Sequence, residues 1–127
     1  MNYVNQKYYK SDITAKIIEC AYRVHNFLGN GFQEVIYQRA LWEEFVAAEL
    51  NFEREKEMPI IYNGKNIGSR RADFLVDGDI LVELKAITKL EDVHSAQILN
   101  YLEAYKVKTG LLINFGASKL GVKRFVK

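Results

Sequence analysis

Apolar residues first recur at helical spacing. Ile13, Ile17, Cys20, Ala21, Val24, Phe27 and Leu28 fall on one stripe. The spacing predicts a helix over residues 13–28, with Ser11 or Asp12 as N-cap and Gly29-Asn30-Gly31 as its stop. A second helix is expected over residues 32–50, with Ile36, Ala40, Leu41, Phe45 and Ala48 facing inward. The pattern then changes to that of strands. Residues 52–57 and 59–62 read as extended and turn back through Asn63-Gly64-Lys65, whose Asn-Gly pair is a hairpin signal. A second hairpin is expected over Arg70 to Ile87, interrupted at Asp77-Gly78-Asp79. A third helix follows over residues 90–105, and Gly110 to Phe115 reads as a buried strand. The best partner of that strand is the one carrying Glu83, and the helix between them calls for a parallel crossover. The expected architecture is α/β (α+β), a central mixed sheet flanked by α-helices. No internal repeat, low-complexity tract or linker interrupts it.

The turn at residues 77–79 sets the register of the second hairpin. A three-residue loop places Val76 opposite Ile80, Leu75 opposite Leu81 and Asp73 opposite Glu83. The two carboxylates would then share a face, with Cβ atoms about 4.5–5.5 Å apart. Lys85 follows Glu83 by two residues and joins that face through the two-residue period of a strand. A two-residue turn at Asp77-Gly78 or Gly78-Asp79 would shift the pairing by one and send the carboxylates to opposite faces.

Opposed like charges destabilise a sheet and push one carboxyl towards protonation, so the cluster is costly as pure structure. A divalent cation removes the conflict, and magnesium takes one or two carboxylates with waters and phosphate oxygens. The plainer reading is a surface pair of Glu83 and Lys85 worth well under about 1 kcal/mol. The neighbours oppose it. Ile80, Leu81, Val82, Leu84, Ala86 and Ile87 make this strand apolar on both faces, as in the interior of a covered sheet.

At 127 residues the chain suits a single domain. Its 49% hydrophobic and 27% charged residues are those of a globular protein, and 18 basic against 16 acidic side chains leave a net charge of only +2. Any attraction for nucleic acid must therefore be local. Cys20 is the one cysteine, so an internal disulfide and a cysteine-based zinc site are excluded, and its place on the helical stripe assigns it to the core. The first twelve residues lack the apolar stretch of a signal peptide and no run matches a membrane span, so a cytoplasmic location is expected.

Further polar candidates surround the hairpin. Glu34 lies in the first turn of the second helix, where the helix dipole alone would favour an acid, yet Gly31 could bring it to the sheet as a third carboxylate for a cation. Gln97, on the third helix, could orient water or a phosphate. His94 shares its side but lacks a spaced partner, making it a weak ligand or base. Arg70, Arg71, Lys85 and Lys89 ring the acidic cluster, while Lys119, Lys123, Arg124 and Lys127 read as a solvated basic C-terminus. Basic side chains along one groove would attract phosphodiester backbones without reading sequence. The tyrosines at 3, 8, 9, 22, 37, 62, 101 and 105 could stack bases, although most suit the edges of a core.

Asp73, the Glu83-x-Lys85 pair, the upstream Glu34 and the downstream Gln97 together resemble the PD-(D/E)XK nuclease superfamily. Gly31-Phe32-Gln33-Glu34-Val35-Ile36-Tyr37 further resembles the G-x-x-E-x-x-Y motif of a family of small bacterial proteins within it. The segments Val82 to Ala86, Gln97 to Leu102 and Leu112 to Gly116 are similar to that family's blocks in the same order. The likeness covers residues 12–125, and Ala72 stands where the superfamily's name has proline. It implies a restriction-endonuclease-like fold, Asp73 and Glu83 as metal ligands, Glu34 as an additional acid at the metal and Lys85 beside the nucleophile. Gln97 would be the polar helical residue that follows the Glu-x-Lys strand.

The expected activity is Mg2+- or Mn2+-dependent hydrolysis of phosphodiester bonds in DNA, with RNA as the alternative. Metal ligands would be Asp73, Glu83 and Glu34; Lys85, Glu34 and Gln97 would be the catalytic residues; Arg71, Lys89 and Tyr101 would contact nucleic acid. A groove on so small a domain is short, which makes a two-fold homodimer the expected assembly. The competing class is a nuclease-fold binding or assembly module without catalysis. Glycoside hydrolysis by paired carboxylates is disfavoured by Lys85 in the cluster and by the lack of an aromatic sugar platform.

Overall fold

The computed structural model describes residues 10–127. Tyr3, Tyr8 and Tyr9, and with them residues 1–9 of the segment that lacks a signal-peptide pattern, lie outside the described residues. The elements run α1 (Ser11–Leu28), α2 (Glu34–Ala47), β1 (Phe52–Tyr62), β2 (Lys65–Val76), β3 (Ile80–Lys85), α3 (Asp92–Tyr105), β4 (Thr109–Asn114) and β5 (Gly121–Val126). The five strands form one sheet in the order β1-β2-β3-β4-β5. β3 and β4 are parallel, and the other neighbouring pairs are antiparallel. The mixed sheet and the parallel crossover through α3 are as expected. No helix among the described residues is long and apolar enough to cross a membrane.

Both faces of the sheet are covered. Ile17, Cys20, Ala21 and Val24 of α1 and Tyr37, Leu41 and Phe45 of α2 pack against Ile80, Val82 and Leu84 of β3 and Leu111 and Ile113 of β4. On the other face Ile98 and Leu102 of α3 pack against Leu75, Leu81 and Leu112. β3 is therefore the central strand, with residues 80–84 all buried. That leaves Glu83 in a site where an unpaired charge is expensive.

Several local expectations need correction. Ser11 and Asp12 lie inside α1; its N-cap is Lys10, in a left-handed conformation at φ 50°. The Lys10 ammonium reaches Asp77 at 2.5 Å and Asp79 at 3.0 Å, tying the start of α1 to the turn of the second hairpin. Phe27 is 89% exposed, whereas Thr14 and His25 are buried on α1. His25 Nε2 lies 3.0 Å from the Ala117 carbonyl, which gives the ring a polar partner in the core. On α2 the inward positions include Tyr37 and Gln38, with Ile36, Ala40 and Ala48 only partly buried. The basic C-terminal segment is not a solvated tail: its residues Gly121 to Val126 form β5, which pairs with β4 as an edge strand.

Candidate active site

The turn at Asp77-Gly78-Asp79 takes three residues, with Asp77 at φ 53° and Gly78 at φ 76°. Val76 pairs with Ile80 and Leu75 with Leu81, so the three-residue loop is the one adopted. Backbone pairing of β2 with β3 ends at Phe74 and Val82, so the expected pair of Asp73 with Glu83 is not formed, while β3 continues along β4 as far as Lys85 and Asn114. A gap thus opens beside residues 83–85, and the Asp73 carboxylate fills it. Its Oδ2 accepts the Leu84 N–H at 2.8 Å, and its Oδ1 accepts from Gln38 Nε2 of α2 at 2.8 Å.

β1 contributes to this opening. Arg54 pairs with Phe74 and Lys56 with Ala72, leaving Glu55 unpaired between them at φ 55°. A non-glycine residue in the left-handed region is uncommon, and the register is the same on either side, so Glu55 and Asp73 are the two residues left unpaired. β2 changes face around it: Phe74 packs on the α1 and α2 side, whereas Ala72 packs on the α3 side. Asp73 stands at the point of rotation.

The polar side chains gather on both sides of that point. Glu34, Val35, Gln38, Glu55, Arg71 and Asp73 line an open cavity of about 350 Å3. Arg70, Glu83, Lys85, His94, Gln97, Ile98 and Tyr101 line a narrower cleft beneath α3, together with Leu112. Asp73 and Glu83 join the two: they are close enough for the protonated form of one to hydrogen-bond the other. Glu34 and Glu83 are each acted on electrostatically by Asp73, Lys85 and Arg70.

Burial drives the electrostatics. It pushes the Glu83 carboxyl up to about 8, helped by the neighbouring Asp73 charge and opposed by Arg70 and Lys85. Asp73 is also raised by burial, against the lowering effect of the Leu84 N–H, Gln38 and Glu83 hydrogen bonds. Glu34, exposed at the rim, is raised by desolvation and then by Asp73. Asp73 thus raises both Glu34 and Glu83, and a cation held beside these acids would favour their charged forms.

The donor set fits a hard divalent cation. Glu83 Oε1 is buried and receives no hydrogen bond from an ordinary donor. Among the described residues, no three His, Cys, Asp or Glu side chains are already drawn into a metal shell. Two carboxylates completed by waters and phosphate oxygens suit magnesium, which seldom uses an all-protein cage.

The G-x-x-E-x-x-Y segment has a structural account. Gly31 lies at φ 110°, which favours glycine, and Glu34 opens α2 as its first residue. Tyr37 Oη donates to the Gly29 carbonyl at 2.6 Å and accepts the Phe32 N–H at 3.3 Å, while its ring stacks on Phe115 at 4.7 Å. The tyrosine thereby pins the loop that delivers Glu34.

The remaining candidates divide. Gln97 and Tyr101 lie in the Glu83 cleft, and Arg71 borders the Asp73 cavity while paired with Glu55 at 3.6 Å and Glu57 at 3.7 Å. Lys89 is exposed on the loop between β3 and α3 and lines neither space. His94 Nδ1 accepts the Glu91 N–H at 2.9 Å, so the ring caps α3. Cys20 is buried as expected, its thiol raised by desolvation.

Arg70, expected beside the acidic cluster, approaches Glu83 directly. Two contributors were not anticipated: Gln38 orients Asp73, and Asn114 brackets Ile87 by accepting its N–H at 3.1 Å and donating to its carbonyl at 2.9 Å. Asn114 thus holds the chain that follows Lys85. Only its position at the end of a buried apolar run could have marked it.

A family profile described as the PD-(D/E)XK nuclease superfamily matches residues 11–125. The chain belongs to that superfamily. The crystal structure of SSO0001 superposes with a TM-score of 0.54 at 22% identity, covering 96% of this chain and 61% of that one. This likeness concerns the fold, and the chain spans less than two thirds of the length of that neighbour. No curated protein matches the chain. Asp73 on β2 and Glu83 and Lys85 on β3, around the gap, all lie within the matched residues.

Proposed function

We propose that the protein hydrolyses phosphodiester bonds in nucleic acid, with DNA as the first substrate and RNA as the alternative. Asp73 and Glu83 would hold Mg2+ or Mn2+, with Glu34 as a further acid. The observation that carries this reading is the gap between β2 and β3, where Asp73 and the buried, undersatisfied Glu83 meet beside Lys85. When bound, the cation supplies polarisation of the phosphate and a water of lowered pKa.

The protein's own groups have separate tasks in this scheme. Gln38 and the Leu84 N–H fix both oxygens of Asp73, so its carboxylate is oriented before substrate arrives. Lys85, as the ammonium, orients the attacking water and stabilises charge on the phosphorane-like transition state. Gln97 positions water or a phosphate oxygen from the α3 side. Arg71, Lys89 and Tyr101 contact the backbone, and the open cavity beside Asp73 receives the scissile phosphate. The G-x-x-E-x-x-Y likeness supports the same role for Glu34. A two-fold dimer would extend the short groove; a monomer in light scattering at micromolar concentration would remove that element.

A second reading is a nuclease-fold binding module. Arg70 approaches Glu83 at 3.4 Å and rests on Tyr101, so Glu83 already has a cationic neighbour. The two readings separate on labelled single- and double-stranded DNA and RNA with Mg2+ or Mn2+. Cleavage by wild type that is lost in D73A, E83A and K85A supports hydrolysis. Binding without cleavage on every substrate supports the module.

A further inference from the structure

The contact between Arg70 and Glu83 is poorly made for a purely structural ion pair. One Nη2 to Oε2 distance of 3.4 Å joins side chains that are 31% and 6% exposed. Arg70 Nε and Glu83 Oε1 are both buried without a hydrogen-bond partner. A guanidinium and a carboxylate can form two parallel bonds, and a buried pair offsets its desolvation only when the geometry is good. Here each partner retains unused capacity of the kind a ligand would take up: Glu83 for a cation, Arg70 for an anion.

What holds Arg70 in place is Tyr101. The guanidinium carbon lies 4.7 Å from the ring centroid, so the planar group is supported by α3 while its edge points at Glu83. The residue comes from β2 and borders the same cleft as Lys85 and Gln97. Its neighbour Arg71 faces the Asp73 cavity, paired with Glu55 and Glu57, and has no contact with Glu83. Two adjacent arginines of equal charge thus stand on different sides of the site.

We infer that Arg70 is a latch that occupies the cation side of Glu83 in the resting protein and is released to a substrate phosphate when a divalent cation takes its place. This rests on the proposed metal site and adds its regulation. Cation and phosphodiester then favour each other, because each stabilises the arrangement the other requires. A guanidinium suits the exchange, since the fork that meets a carboxylate also meets a phosphate.

The test is Mn2+ binding to the full chain by calorimetry, with circular dichroism to verify the fold, in wild type, R70Q, R71Q and Y101L. R70Q is expected to bind Mn2+ about tenfold more tightly, within the range typical of coupled sites. Y101L, which removes the support and leaves Arg70 and Glu83 intact, is expected to shift affinity in the same direction. R71Q removes the same charge one residue away and is expected to change affinity much less. Equal affinity in wild type and R70Q overturns the latch and leaves the metal site standing, and equal gains in R70Q and R71Q reduce it to a general field effect and overturn it. If all four proteins fold and none binds Mn2+, the metal site fails and the latch with it.

Discussion

The Asp73 carboxylate accepts the Leu84 N–H at 2.8 Å across the gap where β2 and β3 cease to pair. A side chain thus takes the place of a strand partner. This contact fixes the acid relative to Glu83 and Lys85, which flank Leu84 on β3, and links the open cavity to the cleft beneath α3.

Gln38 fixes the other oxygen of Asp73, and its removal is expected to act on the site more than on the fold. Q38A leaves Oδ1 without its donor at 2.8 Å and lets the carboxylate rotate. Loss of such an orienting residue typically costs 10–100-fold in metal affinity or activity. Mn2+ calorimetry and cleavage rates should both fall by about that factor. A Q38A protein with unchanged values would show that Asp73 needs no orienting partner.

Glu83 makes the stability of the metal-free protein depend on pH. The folded chain holds its proton up to about 8, whereas the ordinary glutamate value is 4.5. Between those limits the folded state binds more protons than the unfolded one, so stability falls as pH rises. The contribution is complete below 4.5 and is lost by the time pH passes about 8. Denaturant melts of wild type and E83Q across this interval should diverge, with E83Q ahead at high pH by on the order of a few kcal/mol. Parallel curves would contradict the burial assigned to this acid.

Behind Lys85 the backbone is held by Asn114 and closely packed on Gly116. A Cβ at Gly116 would meet the Ile87 nitrogen at 2.2 Å and the Ile87 oxygen at 2.4 Å, both backbone atoms. G116A should therefore destabilise by roughly 3 kcal/mol or more. N114A removes the partner of the part-buried Ile87 N–H and carbonyl and of the Gly116 N–H and should cost about 2–4 kcal/mol. Thermal melts check both. If N114A melts like wild type, the bracket is not what positions the chain after Lys85.

Tyr37 provides a milder perturbation. Y37F keeps the ring on Phe115 but removes the hydroxyl that binds Gly29 and Phe32. A loss of about 1–3 kcal/mol is expected in denaturant melts. The Glu34 backbone amide, followed by NMR, should shift more than those of β4. An undisturbed Glu34 amide would separate the tyrosine from the acid it is argued to place.

The sequence was most legible where one interaction dominates. Asp77-Gly78-Asp79 announced a turn, and its left-handed Asp77 and Gly78 produce the expected pairing of Val76 with Ile80. The unbroken apolar run around Glu83 identified a covered central strand. Less legible was what depends on three-dimensional partners. Gln38 is polar, so apolar periodicity passed over it, although its inward position is what brings it to Asp73. The left-handed Glu55 left no mark because glutamate has no preference for φ 55°. Nor could alternation show that Asp73 opens onto the α2 side while Glu83 lies beneath α3. β5 was hidden by Lys123 and Arg124, charges that suit an edge strand as well as a tail.

The central claim is that Asp73 and Glu83 together form a divalent-cation site. It is tested most directly by calorimetric titration of Mn2+ into wild type, D73N and E83Q, all verified as folded. Wild type should bind, and each substitution should weaken binding by more than the about 10–100-fold typical of an outer orienting residue. Binding that is unchanged in both variants, or absent from the wild type, would contradict the account.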